Sequence, residues 1–312
     1  MLTIRQMRYF DALATTRHFG RAAELVNVSQ PALSAQIAEM EKDLGAALFE
    51  RNRAGALLTR QGEALLPEVR TILQSVDALY DRARQVTGIL EGRLRLGVIP
   101  TVAPYLVPVL IPMLRARFPK LEIELRELLT SGCVEDVKAG RLDCAIVALP
   151  QGEETLDVLP LFKDRFLIAM AEDESTLLMS PMTEAQVDVD RLLLLEEGHC
   201  LRDQALAVCG ASAGRRVANY GATSMATLLQ MVSHGMGITL IPEIAVKEER
   251  GRSRMRIVPF AEPQPSRQIG LVWRARSRRT ADHQALAEVV IDASAKLLGE
   301  TAGVATASPN RG

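Results

Sequence analysis

Cysteine is scarce in this chain: there are four in 312 residues, and no two of them form a CxxC pair. That excludes a disulfide-stapled framework and leaves no spacing for a zinc site, so no metal is expected. Long apolar runs are missing too. No stretch reaches the roughly 18 consecutive apolar residues of a membrane span. The opening "MLTIRQMRYFDALATTRHFG" has no apolar core of a secretory signal. The expectation is a cytoplasmic protein without a membrane partner, where thiols are kept reduced and any disulfide is a transient redox event. Strong charge of one sign is also absent, with a net charge of −1 overall. Residues 1–60 carry eight basic against six acidic side chains, too weak a balance to identify a nucleic-acid binder by itself. Nor is there a dinucleotide fingerprint, because the glycine pair of "SHGMGITLIPE" precedes a strand pattern and not a helix.

What is there divides into three parts. In the first, residues 1–60, "FGRAAELVNVSQPALSAQIAEMEKDLGAALFERNR" reads as two short helices joined by a turn. Ala22, Ala23 and Leu25 give the first helix an apolar face that permits close packing. Ser29 suits the cap of the second helix, and Pro31 suits its first turn. Leu33, Ile37, Met40 and Leu44 recur at three- and four-residue spacing and predict a buried stripe. Gln30, Pro31, Ala32, Ser34, Ala35 and Gln36 fall off that stripe. Small and amide side chains on an exposed helix face suit entry into a major groove. "LFERNRAGALLTRQG" then reads as a hairpin wing carrying Arg51 and Arg53, placed for phosphates or a minor groove. A packed helical pair with no role on DNA is the plain alternative.

Residues 61–89 form one long helical pattern ending at Gly88. Leu66, Val69, Leu73, Val76, Leu79, Tyr80, Ala83 and Val86 make a stripe too extended for a helix alone in water. A partner helix from a second copy would bury it, as would packing on its own domain. From residue 90 to about 300 strands alternate with helices. Candidate strands are 93–99, 121–127, 142–149, 164–171, 217–221, 238–242 and 268–274. Candidate helices are 104–117, 132–139, 200–209, 224–235, 243–248 and 281–298. Apolar runs such as "LDCAIVAL" are expected to be covered on both faces, which is an α/β reading. Residues 301–312, "TAGVATASPNRG", read as a flexible tail.

"FGRAAELVNVSQPALSAQIAEMEKDLGAALFER", the long helix and "MVSHGMGITLIPE" together resemble the LysR-type transcriptional regulators over nearly the whole chain. The resemblance implies an N-terminal winged helix–turn–helix, a dimerising linker helix and an α/β effector domain. That domain would have two lobes like a periplasmic binding protein, lobe I at about 90–163 and 268–300 and lobe II at about 164–267. Implied partners are a double-stranded DNA operator, a second copy through the linker helix, a tetramer, and RNA polymerase. "IPTVAPYL", "GHCLRDQAL" and the later Cys209 resemble the peroxide-sensing branch of that family. It implies hydrogen peroxide as the signal, no cofactor, Cys200 as the oxidised thiol and Cys209 as its disulfide partner. A thiol reductant such as glutaredoxin or thioredoxin would reverse the bond. Thr101, Thr130 and His199 match the positions around the peroxide, with Arg202 and Asp203 alongside in the motif and Arg267 in "PSRQIG" matched by context.

The residues carry a physical argument of their own. If "CLRDQALAVC" is helical, nine steps of about 100° put its two cysteines on opposite faces, ~13 Å apart along the axis. A disulfide needs Cα atoms within roughly 7 Å, so helix and bond exclude each other. Cys200 stands where a helix start favours a thiolate, and His199 and Arg202 are placed to add charge or hydrogen bonds. A sulfenic acid formed there is converted by a second thiol into a disulfide. Both thiols could equally be inert core residues, Thr101 and Thr130 plain caps. Cys144 reads as a buried small hydrophobe, and Cys133 is open. Two other functions stay in view: a regulator answering a metabolite bound between the lobes, and a thiol peroxidase.

Overall fold

The computed structural model describes residues 1–52, 55–83, 88–149, 155–173, 181–210, 222–252, 254–275, 277 and 279–299. The chain divides into two compact units, Met1–Val86 and Thr87–Gly312.

The first unit opens with a helix that the sequence pattern did not announce, α1 (Ile4–Thr16). Thr3 caps it in a reciprocal box with Gln6, and α1 buries Phe10 and Leu13. α2 (Phe19–Leu25) is capped by the His18 ring, which accepts from the amides of Gly20 and Arg21. Ala22 and Ala23 are buried, and their small side chains let α2 lie close against α1 and α3 (Gln30–Leu44). Leu25, expected on that face, is exposed instead, because it sits in the last turn beyond the contact. Ser29 Oγ accepts from the Ala32 amide, a cap that contributes about 1 kcal/mol. Gly45 ends α3 in the left-handed region at φ +65°. Leu33, Ile37 and Met40 form the buried stripe, with Leu44 at its half-buried end. β1 (Phe49–Asn52) and β2 (Gly55–Leu58) pair antiparallel as the wing.

α4 (Arg60–Ala83) is the long helix. Its apolar stripe is split. Val69 is buried in the first unit's own core, with Leu65, Leu66 and Leu73 packed around it, and Arg70 Nε bonds Asp11 Oδ1 at 2.7 Å. So the near end packs on its own domain, while Ile72 and Leu79 are 43% and 65% exposed. Residues 84–87, Val86 among them, lie outside the described residues, as do the side chains of Tyr80 and Ala83, and Gly88, the expected helix end, is outside any helix.

The second unit is a mixed sheet wrapped by helices. Its elements are β3 (Gly92–Val98), α5 (Ala103–Arg117), β4 (Leu121–Glu127), α6 (Thr130–Lys138), β5 (Cys144–Leu149), β6 (Leu156–Ala171), α7 (Cys200–Val208), α8 (Met225–Ser233), β7 (Thr239–Pro242), α9 (Glu243–Glu249), β8 (Met255–Pro259), β9 (Ser266–Arg274) and α10 (Thr280–Leu298). Strand order is β4-β3-β5-β9-β6-β7, with β8 also on β6. β3 runs parallel to β4 and β5, while β9 lies antiparallel between β5 and β6.

β6 is twice the expected length. Residues 156–165 pair with β9 and residues 166–171 with β7 and β8, so one long strand serves two sets of partners. Pro160 pairs with Gly270 at the edge of a register irregularity between Pro160 and Phe162, the kind of place in a sheet where proline is tolerated. β8 was also unread, and candidate strand 217–221 lies outside the described residues, as does the tail. The glycine pair has a structural explanation. Gly235 turns the chain after α8 at φ +73°, and a Cβ on Gly237 would meet the Arg191 carbonyl.

Candidate functional site

Three loops at strand–helix junctions converge near the first turn of α7. The β3–α5 loop brings Ile99, Pro100 and Thr101, the β4–α6 junction brings Leu129 and Thr130, and the turn before α7 brings His199 and Cys200. These seven residues line one small, shallow cleft. For Cys200 to reach it α7 must start there, and Gly198 at φ +94° makes that turn. Cys200 is half-buried at the first helical position, where a helix concentrates its unpaired amides. His199 precedes it as the N-cap residue but makes no side-chain cap bond. Burial holds its imidazole below the ordinary range, against the opposing charge of Glu196. Burial thus favours the uncharged form of the ring.

Arg202 and Asp203 do not line the cleft. Two and three residues into α7 the helix has turned them away: Arg202 Nη1 donates to the Leu195 carbonyl at 3.0 Å, and Asp203 is exposed. Arg267 acts from behind the cleft wall. Its Nη1 donates to Thr101 Oγ1 at 2.8 Å and its Nη2 to the Thr101 carbonyl at 3.2 Å. The same guanidinium is paired with Asp164, a residue the sequence did not single out, through Nε at 3.0 Å and Nη2 at 2.9 Å. Both side chains are shut off from solvent. Burial raises the Asp164 carboxyl above its ordinary range, while Arg267 and the Ile244 amide pull it back. The only signal for Asp164 was a charge inside the apolar run "LFKDRFLIAM".

Thr101 and Thr130 are not helix caps. α5 is capped at Val102, and Thr130 lies inside the first turn of α6 without a side-chain cap bond. The buried Thr130 hydroxyl has no hydrogen-bond partner among the described residues, which leaves its donor and acceptor capacity to whatever enters the cleft.

Cys209 terminates α7 as its C-cap residue, half-buried. Burial pushes its thiol up to about 11, with the charge of Glu184 adding. All four cysteines are free. With α7 formed, Cys200 and Cys209 stand ~13 Å apart along its axis. Cys133 lies one turn beyond Thr130 on α6, fully buried, with its Sγ 3.5 Å from the Leu128 carbonyl. Burial, then Asp136 and Cys200, push its thiol up to about 12. Cys144 is a fully buried member of β5 and is raised by burial as well.

In the first unit, Ser29, Gln30, Pro31 and Ala32 are exposed along the start of α3, and Ser34 and Gln36 are half-exposed one turn further on. Gln36 Nε2 donates to Glu39 at 2.9 Å. Arg51 stands in β1 opposite Ala56, and the Ala56 amide donates to the Arg17 carbonyl at 2.9 Å, tying the wing to the end of α1. Arg53 lies outside the described residues.

Comparison with known proteins matches both units. Residues 4–63 match the bacterial regulatory helix-turn-helix protein of the lysR family, and residues 87–295 match the LysR substrate binding domain. The chain is 42% identical over 289 residues to the DNA-binding transcriptional dual regulator OxyR of Escherichia coli (strain K12), covering 93% of this chain and 95% of that one. It is 40% identical over 292 residues to the hydrogen peroxide-inducible genes activator of Haemophilus influenzae, covering 93% and 97%. Among solved structures it resembles a full-length OxyR cysteine-to-aspartate variant from Pseudomonas aeruginosa, with TM-score 0.72 and 32% identity over 93% of this chain and 98% of that one. A hydrogen-peroxide-bound OxyR mutant from Corynebacterium glutamicum aligns with TM-score 0.63 and 31% identity over 96% and 99%. With a helix–turn–helix unit, an α/β regulatory unit and this level of identity across both, the chain belongs to the LysR family of DNA-binding transcriptional regulators, among the OxyR proteins.

Proposed function

We propose that this chain senses hydrogen peroxide through Cys200 and Cys209 and converts the oxidation into a change in DNA binding. One observation carries the reading. α7 holds Cys200 in a cleft with two threonine residues and the His199 imidazole, and holds Cys209 at its far end, out of bonding reach.

The chemistry follows from that placement. The Cys200 thiolate attacks one peroxide oxygen. An S–O bond forms, the O–O bond breaks, and the second oxygen leaves with a proton as water, giving a sulfenic acid. The Cys209 thiol then attacks the Cys200 sulfur and displaces the hydroxyl as a second water, giving the disulfide. The bond cannot close while α7 stands, so oxidation unwinds it and withdraws Leu201 and Ala205, its buried residues, from the core. A thiol reductant such as glutaredoxin or thioredoxin returns the two thiols by exchange.

The output end is the first unit. The α3 edge of Ser29, Gln30, Pro31, Ala32, Ser34 and Gln36 reads base edges, while Arg51 and Arg53 meet backbone phosphates or the minor groove. Ile72 and Leu79 lie one heptad apart on α4 and are uncovered, which supports a homodimer through that helix and, by family habit, a tetramer that engages RNA polymerase.

The test is brief exposure to near-stoichiometric peroxide, followed by peptide mass spectrometry and DNA footprinting on the same samples. A Cys200–Cys209 peptide together with a changed footprint is expected. Two reduced thiols with an unchanged footprint would overturn the peroxide reading and leave the regulator.

A further inference from the structure

We propose that Asp164 is a positioning residue for the peroxide reaction: it locks the Arg267 guanidinium onto Thr101, so that the Thr101 hydroxyl hydrogen is aimed at the departing peroxide oxygen. The proposal rests on the peroxide reading above and goes beyond it by assigning a role to a residue outside the cleft.

The geometry is tightly constrained. One oxygen of Asp164 accepts from both Nε and Nη2 of Arg267, at 3.0 and 2.9 Å. Two bonds to a rigid planar fork fix its orientation as well as its place. The other Asp164 oxygen accepts from the Ile244 amide at 3.1 Å, which anchors the carboxylate to the backbone of the second lobe. The Phe166 ring lies beside the guanidinium, 6.0 Å from its centroid. Within this frame the third guanidinium nitrogen, Nη1, donates to Thr101 Oγ1 at 2.8 Å. Nη2 also holds the Thr101 carbonyl at 3.2 Å, so the residue is gripped at two points.

A threonine hydroxyl has one hydrogen and two lone pairs, and arginine has no acceptor. With a lone pair taken by Nη1, the hydroxyl hydrogen has no use on the Arg267 side. It turns toward the cleft that Thr101 shares with Cys200 and Thr130. When the Cys200 thiolate takes one peroxide oxygen, sulfur loses two electrons and the O–O bond breaks. The departing oxygen carries growing negative charge until it is protonated to water. A hydroxyl donor already aligned there, and polarised by a cation behind it, stabilises that charge without reorganising. Without Asp164 the guanidinium would be a buried charge with no carboxylate partner, free to seek another contact and release Thr101.

The test uses the reduced full-length protein and two electrophiles. Cys200 oxidation by hydrogen peroxide is followed in single turnover by intact mass, and Cys200 alkylation by iodoacetamide is followed in parallel. Alkylation consumes the same thiolate but releases iodide, which needs no aligned donor. In D164N the peroxide rate is expected to fall by roughly 10-fold or more with the alkylation rate unchanged. The double variant D164N/T101V is expected to be no slower than T101V, because the two residues act in series. Should T101V itself react with peroxide at the wild-type rate, the cleft reading fails. Should T101V slow while D164N does not, or D164N slow both electrophiles equally, the positioning role is overturned and the cleft reading survives. If D164N does not fold, D164N/R267Q replaces the buried ion pair with an uncharged amide pair. It is expected to show the same selective loss, and a wild-type peroxide rate in it would overturn the proposal.

Discussion

Cys200 and Cys209 have the same side chain and different surroundings. Cys200 opens a helix in a cleft lined with hydroxyls, whereas Cys209 closes the same helix with its thiol pushed up to about 11 by burial. Below that value the Cys209 thiolate fraction grows about tenfold per pH unit. In a C200S variant, Cys209 alkylation by iodoacetamide should therefore keep rising past pH 9 toward pH 11, followed by peptide mass spectrometry. A plateau near the free-thiol value of roughly 8.5 would show that α7 does not bury it. At this scale Thr101, Thr130 and His199 were named by resemblance to the peroxide-sensing branch, since the threonines' own residue patterns read equally well as plain caps; the fold brings all three to one cleft with Cys200. Asp164 was not legible in the same way. Its partner Arg267 is 103 residues away, and a carboxylate in an apolar strand acquires meaning only when that strand is beside β9.

α7 is a helix of nine residues with no side-chain cap bond and two buried residues, Leu201 and Ala205. Helices this short owe their stability to tertiary packing rather than to propensity. The cost of unwinding is therefore small and adjustable. Ala207 is exposed within α7, so A207G should weaken the helix by about 1 kcal/mol and touch nothing else. If the disulfide state lacks the helix, the thiol–disulfide equilibrium should shift toward the oxidised form by about fivefold in a redox-buffer titration. An unchanged equilibrium would mean that the helix persists in the oxidised protein. Other elements show which patterns are readable. The helices of the second unit start and end close to their expected limits, because caps and apolar spacing are local. β6 exceeded its expected span because the irregularity at Pro160 is a property of its pairing with β9, and α4 split its stripe because its near end found cover on α1.

Across the whole second unit, buried histidines tie stability to pH. His283 packs on Trp273 with ring centroids 4.8 Å apart, and its Nε2 lies 3.1 Å from Ser277 Oγ. Arg279, Asp282, Asp143 and Arg274 face it. Burial, with Arg279 adding, lowers its value to about 4, against the ordinary 6.5 of the unfolded chain. The unfolded chain therefore binds the proton first as pH falls. Stability is complete above about pH 6.5 and is lost progressively toward pH 4. Between pH 7 and pH 5 the loss from this group is roughly 2 kcal/mol, read by urea unfolding at the two values. His199, also lowered by burial, acts in the same direction, so H283F should reduce the slope without removing it.

Local order in the chain determined the helix–turn–helix, the long α4, the alternation of strands and helices, and the two thiols at opposite ends of a helix. Each of these is written in the spacing of neighbours, because caps, turns and apolar stripes act within a few residues. Only the tertiary structure decided that three separate loops make one cleft around Cys200, that burial lowers His199 there, and that Arg202 and Asp203 face away. It also decided that Arg267 reaches Thr101 from behind with Asp164 holding it. These depend on strand pairing and on exclusion of water, and both arise only when segments distant in the chain are brought against one another.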